Sequence, residues 1–328
     1  MSRSALAVFL LLPLSLFASD EIERLQRSLK SPSEQNRLEA LRELAAYPAA
    51  QSTPLILTAL SDANSTIRGT AAWQLYSIKD PRVVPALRPL LKDSDDRVRA
   101  AAAWSISHIG GKAVLPDILP LCRDDASGVV RFRAVWGLAF IGEKSALPVV
   151  IDALGDYNAS VRERAALLAL DKLADASITS RLRSQSTNSF APTRRVVMYL
   201  YSRYGKQSAT PILLAGLKDP EPLVRAEAAL TLGKIRATSA VSPVSALLRD
   251  TDEHVRGAAA YALGLLGDAA ARPSLRALLE DEAAFVRAIA GESLNRLGDK
   301  SVQPPEGFKA SELFTYPIHS PEHEELYR

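Results

Sequence analysis

Histidine and cysteine are the side chains best suited to hold a metal or to supply a nucleophile, and this chain is poor in both. Its 328 residues contain four histidines, His108, His254, His319 and His323, and one cysteine, Cys122. The single His-Glu dipeptide is His323-Glu324. With His319, Glu322 and Glu325 it offers metal-ligating atoms, but the spacing matches no closed coordination site, so a solvated tail is expected. There is no Gly-rich phosphate loop, no Cys/His arrangement and no nucleophile elbow. Glu163, Asp171 and Glu227 read as carboxylates on solvated helix faces. No catalytic residue, metal or cofactor is therefore assigned. A lone cysteine forms no internal disulfide, and Cys122 aligns with Leu91 and Leu154 as an expected core position.

The chemistry that does recur is ionic. Arg68, Arg99, Arg131, Arg162, Arg194, Arg225, Arg256 and Arg287 follow one another at 31 or 32 residues, and Arg37 lies 31 before the first. Six residues before them stand Asp62, Asp93, Asp125, Asp156, Asn188, Asp219, Asp250 and Asp281. Guanidinium and carboxylate at fixed offsets suit charge-assisted hydrogen bonds, which fix orientation well. A phosphate-binding track of arginines is the weaker reading, because nearly every arginine has its aspartate. The formal charge of +3 is small for this length and lacks the concentrated basic surface of a nucleic-acid binder.

A second recurrence is aromatic. Five residues after each arginine come Trp73, Trp104, Trp136, Leu167, Tyr199, Leu230 and Tyr261, with Glu292 last, so all three tryptophans share one column. On a helical wheel this position falls at about 140° from the arginine, while the residues one before, three after and seven after centre near 310°. The column therefore points away from the apolar stripe. Tyr76, His108, Phe132 and Phe140 stand close by, and Arg133, Arg164, Arg195 and Arg203 would supply a polar rim. Two readings stay open. Superhelical curvature buries the column between repeats, or it forms a partner-binding strip, since contiguous exposed apolar surface marks interaction sites and Trp and Tyr are common anchors.

Helices must position these residues. Pro85 opens an apolar-periodic run through Leu87, Leu90 and Leu91, as proline does in a first helical turn. Pro54, Pro116, Pro148, Pro211 and Pro273 hold the same place. Lys92–Asp96 is a turn and capping segment. Val98, Ala102, Ile106 and Ile109 then mark one face of a second helix, which Gly110-Gly111 ends. The unit is helix, turn, helix, loop, with no strand signal. Neither helix hides its stripe alone, so stability must come from neighbouring units, and a period in this range signals a solenoid.

The pattern D-x5-R-x2-A-x3-L, followed by glycine and a proline-started helix, resembles HEAT repeats, and its 31-residue length looks like the phycobilisome-lyase subtype. The resemblance covers about residues 20–298 as nine helical pairs. It implies an all-α, right-handed solenoid in which the Asp/Arg series is a structural ladder between adjacent repeats. The sixth repeat departs from the pattern with Asn188, Thr193 and Val197, after a polar, irregular stretch at Arg181–Pro192. Deoxyhypusine hydroxylases share the repeat architecture, but their paired His-Glu ligands have no counterparts here. Phycobilin lyases are similar in repeat type, yet no position maps to a lyase residue.

Residues 1–18 read as a secretory signal, with Arg3 before the apolar run Ala5–Phe17 and cleavage expected after Ala18. Residues 19–298 are then the solenoid and 299–328 a tail, whose Phe308, Leu313, Phe314, Tyr316 and Ile318 would cap the last repeat. The expected function is that of an exported, periplasmic or secreted, non-catalytic scaffold with no membrane span once the signal is removed. Its unidentified protein partner would meet Trp73, Trp104, Trp136, Tyr199 and Tyr261, supported by Phe132 and Phe140. A glycan stacked on the tryptophan row and a bilin-lyase-like modifying activity are the alternatives.

Overall fold

The computed structural model describes residues 14–314 apart from 176 and 303. The side chains before residue 20 and those of 163–165 also lie outside it. Most of the expected leader, and Tyr316, Ile318, His319, Glu322, His323, Glu324 and Glu325, are therefore outside the described residues.

The fold is an all-α, right-handed solenoid of stacked helix pairs, with no strand among the described residues. The chain forms two compact units, residues 1–149 with 171–173, and residues 150–170 with 174–328. In the first unit the second helices include Glu34–Leu44, Ser65–Ile78, Asp96–Ile109 and Gly128–Ile141, each packed on the next. In the second they include Ala191–Tyr204, Pro222–Lys234, Glu253–Leu266 and Ala284–Arg296, again packed in series.

The stripe that builds each pair is the one the period marks. Ile67, Ala71 and Leu75, then Val98, Ala102 and Ile106, are essentially without solvent contact, as are Val255, Ala259 and Leu263. Each buried Val or Leu contributes about 1.5–3 kcal/mol, and the intervening alanine lets the helices close on one another. Cys122, on the first helix Leu115–Asp124, is buried as well.

Caps and turns set the boundaries. Asn64 accepts from the Thr66 and Ile67 N–H groups, and Asp95 from that of Arg97, so an amide oxygen caps one second helix and a carboxylate oxygen the next. Gly142 and Gly267 end two others with left-handed backbone, a conformation that lacks the Cβ penalty only for glycine. The first helices are short and tighten into 3₁₀ turns, as where Val84–Leu87 passes into Arg88–Lys92. Pro85, Pro116, Pro211 and Pro273 lie in first turns. Pro54 does not: its helix begins at Ala49, because the Gln51 and Ser52 N–H groups already close a turn on the Pro48 carbonyl. The stretch expected to be irregular from Arg181 is helical over Ile178–Gln185. Ser160–Ala165 winds as a π-turn, which the periodicity did not announce.

The arginines and aspartates make a repeated three-way contact. Arg68 Nε and Nη2 donate to both oxygens of Asp93 in the next repeat, each at 2.7 Å. Its Nη1 donates to the carbonyls of Asp62 and Ala63 behind it. Asp93 also accepts the Asp95 N–H at 3.0 Å. The same geometry joins Arg37 to Asp62 and Arg99 to Asp125 in the first unit. In the second it joins Arg194 to Asp219, Arg225 to Asp250 and Arg256 to Asp281. Arg131, Arg162 and Arg287 hold the carbonyls of Asp125, Asp156 and Asp281 in the same way. At the sixth repeat Thr193 is fully buried, and its hydroxyl donates to the Leu154 carbonyl at 2.8 Å.

Candidate partner-binding face

Three second helices of the first unit bring their aromatic residues into one cluster. Close approach makes this possible: a Cβ on Gly137 would lie 2.3 Å from Ser107 Oγ, so only glycine fits there. Trp73 and Trp104 stack with centroids 5.9 Å apart and planes at 13°. Trp136 and Phe140 meet Trp104 edge-on at 4.9 and 5.5 Å. Phe132 packs on Trp136. The Arg133 guanidinium lies 4.9 Å from the Trp104 centroid and 5.6 Å from that of Trp73, a cation–π arrangement rather than a distant rim.

His108 sits among these rings, 3.6 Å from Phe140, 4.1 Å from Trp104 and 4.8 Å from Tyr76 between centroids. Its Nδ1 lies 2.8 Å from the Trp104 carbonyl, which accepts the proton of that nitrogen in the neutral tautomer. Burial lowers the imidazole's pKa against that hydrogen bond, and the Arg133 charge lowers it further. Nε2 of His108 and Nε1 of Trp104 are both buried without a hydrogen-bond partner.

The column is open only in part. Trp73 is 42% and Phe140 50% exposed, whereas Trp104, Phe132 and Tyr261 are 7–8% exposed. Leu167 and Leu230 are buried too, while Trp136 and Tyr199 are intermediate. The wheel treats each second helix as facing one partner and solvent beyond it. Inside a unit each also has second helices on its flanks, and these cover the column. The Glu253–Leu266 helix shows the effect most fully: every residue from Val255 to Gly264 is buried. A row of three open tryptophans, which the glycan alternative requires, is therefore not present.

In the second unit the chain covers its own column. Phe314 lies 5.3 Å from Tyr261 between centroids, and the Arg296 guanidinium 5.0 Å from it. Glu292 accepts the Ala310 N–H at 2.7 Å. Arg203 lies over the Tyr204 ring. Glu227, read as solvated, is 6% exposed, because second helices on both sides cover its flank. Its carboxyl oxygen is 3.9 Å from Arg195 Nε, and burial raises its pKa despite the nearby Lys234 and Arg195 charges. Asp171 is exposed, while the side chains of Glu163 and Arg164 lie outside the described residues. Among the described residues no three His, Cys, Asp or Glu side chains come together as a metal site, and no helix is long and apolar enough to cross a membrane.

The comparisons agree with this architecture. HEAT repeats match residues 22–107, 115–201 and 210–295, and the PBS lyase HEAT-like repeat matches residues 98–124. Among solved structures, Kap121p superposes with a TM-score of 0.66 at 17% identity, over 85% of this chain and 37% of its own. Kap121p bound to Ste12p gives 0.67 at 16%. The Escherichia coli protein YibA gives 0.51 at 19%, over 82% of this chain and 98% of its own. This chain thus spans little more than a third of Kap121p, and at such identities the likeness concerns the fold. No curated protein matches it significantly. With three matches that together cover most of its length, the chain belongs to the HEAT-repeat proteins.

Proposed function

We propose that this chain is a non-catalytic scaffold that binds a protein partner through the second helices of its first unit. The observation that carries the reading is the half-open aromatic cluster. Trp73 and Phe140 present large apolar surface on a base of buried Trp104 and Phe132, with the Arg133 charge among the rings. Open rings packed on a buried aromatic base suit binding, since packing already restricts their rotamers and less side-chain entropy remains to be lost. Kap121p, of similar fold, has been solved with Nup53p, with Ste12p and with the extreme C-terminus of Cdc14p. That supports reading a stack of this kind as a holder of protein segments. The 98–124 match supports a place in the PBS-lyase-like subtype, without its chemistry. The apolar run after Arg3 supports export to the periplasm or beyond.

Capture from native envelope extract tests the reading. A protein retained by the parent chain but lost from a Trp73→Ala/Phe140→Ala variant of unchanged helicity is the expected outcome. Retention of the same proteins by both would remove the cluster from consideration. Trp104→Ala is unsuitable, because cutting a buried tryptophan costs about 3–5 kcal/mol whatever it binds.

A further inference from the structure

The repeats contain one position whose environment differs sharply between the two units. The residue one after the repeat arginine lies on the flank of a second helix that meets the next second helix. At Gly257 this flank is filled. A Cβ there would lie 3.1 Å from Cε2 of Phe285 and 3.2 Å from Cδ1 of Ile289, both on the following helix. The Phe285 ring also meets His254, at 5.6 Å between centroids. Gly69 holds the same place in the first unit, and the residues aligned with Phe285 and Ile289 are Arg97 and Ala101. Ala101 is too short to fill the space. Arg97 turns to Asp95, with 2.9 Å between Nη2 and the carboxylate, and its side chain stays 74% exposed. A Cβ on Gly69 would meet nothing closer than Val98 at 3.8 Å. The result is an open cleft of about 310 Å³ lined by Thr66, Gly69, Thr70, Trp73, Arg97 and Ala101 among others.

We infer that this cleft seats one aromatic side chain, phenylalanine or tyrosine, presented by the protein partner. The inference deepens the proposed function and rests on it. The chain itself shows what the site accepts, because a phenyl ring occupies the equivalent cleft over Gly257. The wall is the right kind: Trp73 lines the cleft where Tyr261 stands in the filled repeat, and offset or edge contacts between rings add about 0.5–1.5 kcal/mol beyond burial. The Phe314 ring against Tyr261 is a second case of an aromatic residue placed on this column. At the mouth, the Arg97 guanidinium and the Thr66 hydroxyl can meet a phenolic oxygen or an acidic neighbour of the seated residue.

The test uses the full chain and N-acetylphenylalaninamide, with N-acetylleucinamide as the apolar control, followed by saturation-transfer NMR and tryptophan fluorescence. The parent should bind the aromatic probe about two- to tenfold more tightly than the control. Arg97→Phe/Ala101→Ile copies the packing the chain already adopts over Gly257, and should abolish the preference without loss of helicity. Phe285→Ala should open the equivalent cleft and add a second site for the same probe. Equal binding of both probes by the parent, or unchanged binding by the filled variant, would overturn the inference. Neither result touches the capture experiment on Trp73 and Phe140, so the cleft and the scaffold reading can fail separately.

Discussion

Replacing Asp93 isolates one rung between repeats. Its carboxylate accepts two hydrogen bonds of 2.7 Å from Arg68 and one of 3.0 Å from the Asp95 N–H, with the two side chains 14% and 11% exposed. An open surface pair would be worth about 0–1 kcal/mol, and loss of one partner of a fully buried pair would cost about 3–5 kcal/mol. The rung lies nearer the buried case, but solvent reaches its edge, so Asp93→Ala should cost about 2–4 kcal/mol. Asp93→Asn should cost less, about 1–2 kcal/mol, because an amide oxygen still accepts the backbone N–H. The chain already contains that solution: Asn188 accepts the Phe190 N–H at 2.9 Å. A double-mutant cycle with Arg68→Gln, read by urea unfolding at pH 7, should give a coupling of about 1–3 kcal/mol. Arg68 holds the Asp93 pKa below the usual carboxylate range. A depressed folded-state pKa contributes stability that is complete above the unfolded value, near 4, and is lost as pH falls through the folded one. The coupling should therefore fade only under acid conditions. Additivity within about 0.5 kcal/mol at pH 7 would refute the argument.

Gly233→Ala and Gly69→Ala should have opposite signs. A Cβ at Gly233 would lie 2.8 Å from Cα of Ala262, so the helices must part, at about 1–3 kcal/mol against a helix-propensity gain near 1. At Gly69 the added methyl has room, and a stabilisation of about 0.5–1 kcal/mol is expected. Melting of the two variants beside the parent decides it, and a fall in both would contradict the spacing. His108 provides a pH effect in a different window. Its folded-state pKa is lowered by burial, so its contribution is complete above the unfolded value, near 6.5, and is lost as pH falls below it. The melting temperature of the parent should drop between pH 7.5 and 5.5 by more than that of His108→Gln; equal drops would sink the assignment.

The stripe one before, three after and seven after each arginine was legible because it is a property of single helices repeated at a fixed interval. An apolar face of period 3.6 must be buried, and a chain of such units has little choice but to stack them. Ile67, Val98, Ala102 and Leu263 therefore lie where the spacing puts them. What surrounds a second helix on its other flanks is not a local property. Trp73 and Trp104 hold the same place in consecutive repeats, yet one is open and the other closed, because the rings of Trp73, Trp136 and Phe140 all pack on Trp104. Glu227 lies on a flank that a wheel calls solvated and a neighbouring helix covers. Gly69 and Gly257 share a register, but residues 28 and 32 positions further on decide whether the space beside them is a cleft or a packed ring. Local patterning is enough to set the helix pairs and their period. Which aromatic residues face solvent depends instead on how closely successive second helices approach, and side chains from different repeats set that distance.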